Sequence, residues 1–141
     1  MLHQRVLLNI DEKLIGYLPQ YSESLFNIKD CKKEPNDTID LLFAGNIGKA
    51  QSIDTIIDAA KILKENKKLF FHIVGDGQEL ERLKKKKATL KLDNVIFYGR
   101  KPLEEMPLYY KKADAMIVSL CGDSLISATL PGKVQTYMAA G

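Results

Sequence analysis

The sequence predicts a single α/β domain: a Rossmann-like, mostly parallel sheet with helices on both faces. From residue 39 onward, short apolar runs alternate with longer amphipathic stretches, which is the pattern of βαβ units. Each apolar run ends in a glycine or a polar turn, as strands of such units do. With 141 residues, 45% hydrophobic and 28% charged, the chain has material for one hydrophobic core and not for two.

Four apolar runs are the predicted strands. They span residues 40–44, 69–74, 94–98 and 114–120. We expect the spatial order third, second, first, fourth, with right-handed crossovers, because parallel strands of one sheet are almost always connected in that hand. The carboxyl ends of these strands would then share one edge of the sheet.

Four amphipathic stretches are the predicted helices. They span residues 53–63, 78–91, 104–112 and 132–140. In the first, apolar residues recur at helical spacing and charged residues take the opposite side. In the second, glutamates near the start and Lys91 at the end suit the helix dipole. Pro131 opens the last helix, since proline is favoured at the first helical position.

Residues 1–39 differ from the rest and are predicted to be a lead-in or inter-domain linker. Their short apolar clusters are broken by Pro19 and by a polar stretch that ends near Thr38. That stretch contains a Pro-Asn-Asp sequence with the chemistry of a turn. The compact domain is therefore expected at 40–141.

Composition excludes several classes of protein. Twenty-one Lys and Arg against 18 Asp and Glu leave a charge of +3, which without a localised basic face does not indicate a nucleic-acid partner. Cys31 and Cys121 are far apart and lack metal-ligand spacing, so we expect inert thiols in a reducing cytoplasm. The longest apolar run is far below the ~20 residues that span a bilayer, and the start lacks the apolar core of a secretory signal. A soluble protein is expected.

The chain ends at Gly141, one residue after the last predicted helix. Glycine at that place normally ends a helix and leads into another strand. Because parallel sheets of this type usually continue with further βα units, we expect a domain truncated at its C-terminus. Such a fragment would be marginally stable, with uncovered apolar surface near Ile117 and Met138.

Loops after the strands are the candidate sites, because open α/β sheets bind ligands outside the carboxyl ends of their strands. Loop 45–51 offers two glycines, Lys49 and a following helix, which suit a phosphate; an ordinary βα turn with a solvated Lys49 explains the same residues. Loop 75–77 is too short for a dinucleotide fingerprint. There we expect a tight turn in which Asp76 or Gly77, with Asp76 favoured, caps the next helix, and in which Gly75 permits a close backbone approach. Small hydroxyl residues and Lys133 before the last helix suit a diphosphate.

Two further features have simpler explanations. His72 lies inside an apolar strand with no second His, Cys or Ser nearby in sequence, so we expect a packed, neutral side chain rather than a catalytic one. Lysines 84–87 point around most of a helix and are expected to be a solvated face. The alternative for this run is attraction to an anionic membrane surface, which leaves a peripheral membrane contact open.

The stretch from residue 40 to 141 resembles the C-terminal, donor-binding domain of group 1 retaining glycosyltransferases with the GT-B fold. The motifs that carry the resemblance are LFAGNIG (42–48), IVGDG (73–77), VIFYG (95–99), ADA (113–115) and YMAAG (137–141). The lead-in segment IGYLPQY (15–21) is similar to the end of the family's acceptor-binding domain. LPGKVQ (130–135) looks like the subgroup that builds bacterial capsule, O-antigen or exopolysaccharide units.

The resemblance implies transfer of a sugar from a nucleoside diphosphate sugar to an acceptor hydroxyl, with no metal cofactor. Positive groups and helix N-termini would stabilise the departing diphosphate. The acceptor-binding domain is missing from this chain, so the chain alone is expected to be inactive. The alternative is a non-catalytic nucleotide-binding subunit that works with a separate acceptor-binding polypeptide.

The match to the family is incomplete at two places. Many members carry two glutamates eight positions apart, where this chain has Ala128 and Thr136. Many also carry a basic residue after the first glycine, where this chain has Asn46. By resemblance, the loop 99–101 borders the nucleobase. The candidate nucleotide-sugar-binding residues are Gly45, Asn46, Lys49, Gly75, Arg100, Lys133 and Thr136, and no catalytic or metal-binding residue is assigned.

Overall fold

The computed structural model describes residues 16, 25, 26, 33, 35–122 and 131–141. Several predictions lie outside the described residues. They concern the lead-in motif at 15–21, of which only Gly16 is described, Cys31, Ala128 and the hydroxyl-rich segment 123–130. The boundary between lead-in and domain at residue 39 stays a prediction.

Four parallel strands form one sheet in the order β3-β2-β1-β4, which confirms the predicted order. The strands are β1 (Ile39–Ala44), β2 (Leu69–Val74), β3 (Val95–Gly99) and β4 (Ala115–Met116). β1 and β2 pair over their whole length, from Ile39 opposite Leu69 to Ala44 opposite Val74. Their carboxyl ends therefore meet at one edge of the sheet.

Helices cover both faces of the sheet, as predicted. They are α1 (Ile53–Ile62), α2 (Leu80–Leu90), α3 (Met106–Tyr110) and α4 (Lys133–Ala140). α1 and α2 pack against one face around the fully buried Phe43 and Ile73. α3 and α4 pack against the other face around Leu42 and Val74. Alternate residues of β1 thus point into two separate cores, as the period of a strand requires.

The helix boundaries differ from the predictions in small ways. α2 begins at Leu80 rather than 78 and ends at Leu90, because the next residue, Lys91, has a positive φ of 52° that terminates the helix. The third helical segment is split into a 3-10 turn, Leu103–Glu105, and the short α3. Pro107 in the first turn of α3 lacks an N–H, which favours this break. α4 begins at Lys133, one residue later than expected.

The fourth strand is much shorter than the predicted 114–120. It pairs with β1 only at Ala115 and Met116, and the amide of Ile117 makes the last bond, to the carbonyl of Leu42. The chain then leaves the sheet, because the amide of Cys121 donates to Ala50. The predicted strand at 117–120 is therefore wrong. The end of β1 that β4 does not cover is contacted by α4 instead.

His72 is packed within the sheet, and its expected neutral, non-catalytic state stays a prediction. His72 is half-buried, with Nε2 2.8 Å from a carboxylate oxygen of Asp40 and Nδ1 2.8 Å from the Tyr98 hydroxyl. Lys33 pairs with the same Asp40 at 2.7 Å. Burial of Asp40 opposes ionisation, but its bonds to Lys33, His72 and Thr38 outweigh burial and lower its pKa to about 2. This cluster lines a separate cavity near the amino end of β1 and does not belong to the loops at the carboxyl ends.

Within the described ranges, no helix has the length and apolar character needed to cross a bilayer. Among the same residues, no group of three or more His, Cys, Asp and Glu side chains is placed to hold a metal ion.

Candidate functional site

A cleft of about 410 Å³ opens at the carboxyl ends of β1 and β2, beside the loop that follows β3. The lining residues include four of the predicted ones. They are Ala44, Gly45, Asn46, Val74, Gly75, Asp76, Arg100, Lys101, Leu103, Met106 and Tyr110. The cleft has the position at which open α/β sheets bind ligands.

Two glycines make the floor of the cleft compact. A Cβ on Gly75 would lie 1.8 Å from the carbonyl oxygen of Gly45, and Gly75 has a φ of 142°. Gly45 also has a positive φ, 143°. Only glycine allows the two loops to approach this closely, and the close approach predicted for Gly75 is made to the backbone of Gly45.

The first two loops are also joined by backbone hydrogen bonds. The amide of Ile47 donates to the carbonyl of Asp76 at 2.8 Å, and Ile47 is fully buried. Asp76 was expected to cap α2, but its carboxylate accepts from the adjacent Gly77 amide instead, and α2 has no side-chain cap. The physical reason is distance along the chain: α2 begins at Leu80, too far from Asp76 for a cap.

Basic and apolar side chains form the wall of the cleft on the β3 side. Arg100 and Lys101 follow β3 directly, and Leu103, Met106 and Tyr110 add apolar surface from the 3-10 turn and α3. Lys101 Nζ lies 5.8 Å from the centre of the Tyr109 ring and 4.0 Å from Glu105. This combination of a cationic rim and an apolar wall suits a ligand with both an anionic and a planar part.

Lys133 lies beside Gly45, at the edge of the cleft that Gly45 helps to line. Its Nζ would be 3.2 Å from a Cβ on Gly45 and is 3.9 Å from the centre of the Phe43 ring. The ammonium is buried and has no hydrogen-bond partner among the described residues. Burial lowers the pKa of Lys133 to about 8. A buried cation without a counter-ion is costly, so this position favours an incoming anion.

Tyr137 fixes the helix that carries Lys133. Its hydroxyl accepts from the amide of Ala44 at 2.8 Å and donates to the carbonyl of the same residue at 2.9 Å. Burial raises the pKa of Tyr137 to about 12, which keeps the hydroxyl protonated for this bond. Sequence reasoning missed this residue, because a tyrosine at helical spacing has the pattern of an ordinary core residue.

Two predicted residues lie apart from the cleft. Lys49 is exposed on the 3-10 turn Lys49–Gln51, and Thr136 is half-buried on α4. Neither is among the described lining residues. The structure thus gathers Gly45, Asn46, Gly75 and Arg100 around one cleft and places Lys133 beside Gly45.

The comparisons with known proteins identify the family. The family model of the group 1 glycosyl transferases matches residues 26–122, more than half of the chain. The chain belongs to this family. It is 31% identical to the probable glycosyltransferase WbjE of Pseudomonas aeruginosa over 129 residues. That alignment covers 92% of this chain and 31% of WbjE. It is 32% identical over 108 residues to the putative colanic acid biosynthesis glycosyl transferase WcaI of Escherichia coli, covering 76% of this chain and 26% of the relative.

Solved structures of glycosyltransferases share the fold. The pneumococcal O-GlcNAc transferase GtfA, solved with UDP and GlcNAc, superposes with a TM-score of 0.60 at 20% identity over 85% of this chain and 22% of its own. TarM superposes with a TM-score of 0.62 at 16% identity over 97% of this chain and 26% of its own. These neighbours show that the fold is that of the GT-B glycosyltransferases. The chain spans less than a third of the length of both curated relatives named above.

Proposed function

We propose that this chain is the donor-binding part of a glycosyltransferase. The whole enzyme, in this proposal, transfers a sugar from a nucleoside diphosphate sugar to an acceptor hydroxyl in the biosynthesis of a cell-surface polysaccharide, in the cytoplasm. The observation that carries the proposal is Lys133, a buried ammonium beside Gly45 that lacks a hydrogen-bond partner within the described part of the chain. The similarity to WcaI, a putative colanic acid biosynthesis glycosyl transferase, supports the polysaccharide context.

The proposed sugar transfer requires the protein to stabilise negative charge. When the bond between the sugar and the diphosphate breaks, the leaving diphosphate takes the electron pair and gains charge, while the acceptor oxygen bonds to the sugar and passes its proton to the diphosphate. Lys133 lies where it can neutralise that charge, with the N–H groups at the start of α4 beside it. In this proposal protein cations, rather than a metal cofactor, balance the diphosphate. In the same proposal Arg100 and Lys101, which line the cleft, contact the nucleoside end of the donor.

The acceptor-binding half is the partner that the proposal requires. In this fold the acceptor is held by another domain, and bringing two reactants together is worth up to ~7–11 kcal/mol of the barrier. We therefore expect the 141-residue chain to bind the donor without transferring its sugar.

Calorimetric titration with UDP and GDP tests the proposal. We expect the chain to bind at least one of the two and Lys133→Met to weaken that binding at least tenfold. Lys61→Met, which also removes one lysine charge but lies at the far end of α1, is the matched control and keeps wild-type affinity. Binding that is unaffected by Lys133→Met, or no binding of either nucleotide at millimolar concentration, would overturn the proposal. A Lys49→Ala variant separately shows whether the donor reaches that exposed side chain.

A second function is favoured by one residue. By the resemblance to the family, Thr136 on α4 takes a position at which many members carry a glutamate, and threonine supplies no carboxylate there. A subunit that binds the nucleotide sugar but does not take part in transfer would tolerate this loss. Supplying an acceptor-binding polypeptide and measuring sugar transfer distinguishes the two functions. If Thr136→Glu creates or strongly raises transfer while nucleotide binding stays unchanged, the non-catalytic function is supported.

A further inference from the structure

One end of the domain carries a concentration of lysines that the nucleotide cleft does not use. They come from the end of α1 and the loop after it, residues 61–68, and from the second half of α2 and the loop after it, residues 84–93. We call these two segments together the basic surface. They hold nine lysines against Glu65 and Asp93, a net charge of +7, where the whole chain carries +3. The rest of the chain is therefore acidic, and the charge is strongly polarised.

The fold brings the two segments side by side. Lys86 of α2 forms 2.8 Å ion pairs with Asp54 and Asp58 of α1. The side-chain amide of Asn94, just after α2, donates to the carbonyl of Ala60 at 3.0 Å. Lys91 lines a hollow with Lys64 and Lys67 and a second hollow with Lys84 and Lys87, so the lysines form a continuous surface.

A purely structural role explains only part of this charge. Lysines in the last turn of a helix stabilise its dipole, and Lys61 and Lys87 hold such positions. Lys64, Lys67 and Lys68 lie beyond α1 and form no ion pair with a described residue. Within the described ranges, Lys67 Nζ donates only to the backbone carbonyl of Lys64, at 3.4 Å, so its charge is not neutralised by that bond. Uncompensated positive charge at a surface attracts an anionic partner.

Exposed apolar side chains accompany the lysines. Ile62 is 80% exposed and Leu63 is 41% exposed, although both lie at the end of a helix with a buried face. They are flanked by Lys61 and Lys64. Bulky aliphatic groups ringed by lysines are the combination with which peripheral proteins enter the boundary between lipid headgroups and acyl chains.

We propose that the basic surface docks the domain on an anionic lipid bilayer, with Ile62 and Leu63 entering the headgroup region. Each lysine held near such a bilayer adds to the attraction, and the effect decreases with salt. A nucleic-acid partner fits less well, because the surface has no arginine and no exposed aromatic side chain, which read and stack bases. The two segments lie at the amino ends of the strands, so docking leaves the cleft at the carboxyl ends open.

Vesicle co-sedimentation of the 141-residue chain tests the proposal. The probes are phosphatidylcholine vesicles with and without about 30% phosphatidylglycerol, at low and at physiological salt. We expect binding only to the anionic vesicles, weakening as salt rises. Lys67→Glu/Lys91→Glu should weaken it at least tenfold, and Ile62→Ser several-fold. The matched control, Lys49→Glu/Lys101→Glu, changes the net charge equally at the opposite end of the sheet and should bind like wild type.

Three outcomes would overturn the proposal. They are no binding to anionic vesicles at low salt, equal losses in the two double variants, and tighter binding to an oligonucleotide than to vesicles at the same salt. Thermal unfolding of each variant verifies that the fold is kept. The result is independent of the nucleotide site, because vesicle binding is measured without UDP or GDP.

Discussion

The hydroxyl of Tyr137 satisfies both backbone polar groups of Ala44, the last residue of β1. These groups face the side of β1 where β4 would continue, but β4 ends at Met116. One side chain from α4 therefore replaces the missing length of strand. The same bonds hold α4 against β1 and so place Lys133 beside Gly45, which links the packing of the domain to its candidate site.

Replacing Tyr137 by phenylalanine should destabilise the domain by about 2–3 kcal/mol. The change leaves a buried N–H and a buried C=O without their partner, each at a cost of about 1–3 kcal/mol. Tyr98→Phe is the matched control, because it removes one hydroxyl bond, to His72, elsewhere in the sheet, and should cost only about 1 kcal/mol. Urea unfolding measures both. An equal decrease in the free energy of unfolding in the two variants would show that the two Tyr137 bonds stabilise the domain no more than a single hydroxyl bond does.

Gly75→Ala should be strongly destabilising, by at least about 3 kcal/mol. The added methyl group would overlap the carbonyl oxygen of Gly45, and alanine rarely adopts a φ of 142°. Gly122→Ala is a suitable control, since its Cβ would meet no atom within 4 Å. We expect Gly75→Ala to unfold at much lower temperature and Gly122→Ala to unfold near wild type. A stable Gly75→Ala protein would mean that the two loops can separate.

Acid should remove the stabilisation provided by Asp40. Its folded-state pKa of about 2 lies below the ordinary value of 3.8, so its contribution is complete above pH 4 and is lost as the pH falls through 2. The shift corresponds to about 2 kcal/mol for this side chain, which is 11% exposed. Asp40→Asn should therefore be less stable than wild type at pH 6, and the difference should shrink by that amount near pH 2. Urea unfolding across this range measures it; a constant difference would contradict the assignment.

Much of the fold could be predicted from the periodicity of apolar residues, because the position of each strand and helix depends on local sequence pattern. The order of the strands and the faces of α1 followed from alternating apolar runs and helical spacing. The length of β4 could not be predicted, since it depends on a hydrogen bond between Tyr137 and Ala44, 93 positions apart. A tyrosine among apolar residues indicates burial, but not which backbone group its hydroxyl will reach.

The cleft was predictable to the extent that strand ends define it. Gly45, Asn46, Gly75 and Arg100 each follow a strand, and a parallel sheet brings such residues to one edge. Lys49 also follows β1, but the 3-10 turn directs it to solvent, and turn type is not encoded by the spacing of glycines. The Asp76 cap was wrong because the start of α2 was placed two residues early.

Lys133→Met should stabilise the domain while weakening its binding of nucleotide. Burial lowers the pKa of Lys133 to about 8, so at pH 7 the folded chain holds a charged group that the unfolded chain, with a pKa near 10.5, solvates better. The unfolded state binds more protons between pH 8 and 10.5, and wild-type stability should therefore rise with pH in that interval.

Methionine keeps most of the apolar stem and removes the charge, which should raise the free energy of unfolding at pH 7 by about 2 kcal/mol, allowing for partial exposure of the side chain. That gain should vanish towards pH 10, where the wild-type lysine is neutral in the folded state. An anion bound to Lys133 favours its charged form, so wild-type affinity for UDP should decrease as the pH rises through 8, whereas Lys133→Met should bind weakly at every pH. Urea unfolding and calorimetric titration at pH 7 and pH 9.5 measure the two effects. A less stable Lys133→Met protein, or UDP affinity that is the same at both pH values, would mean that the ammonium is already neutralised in the free chain.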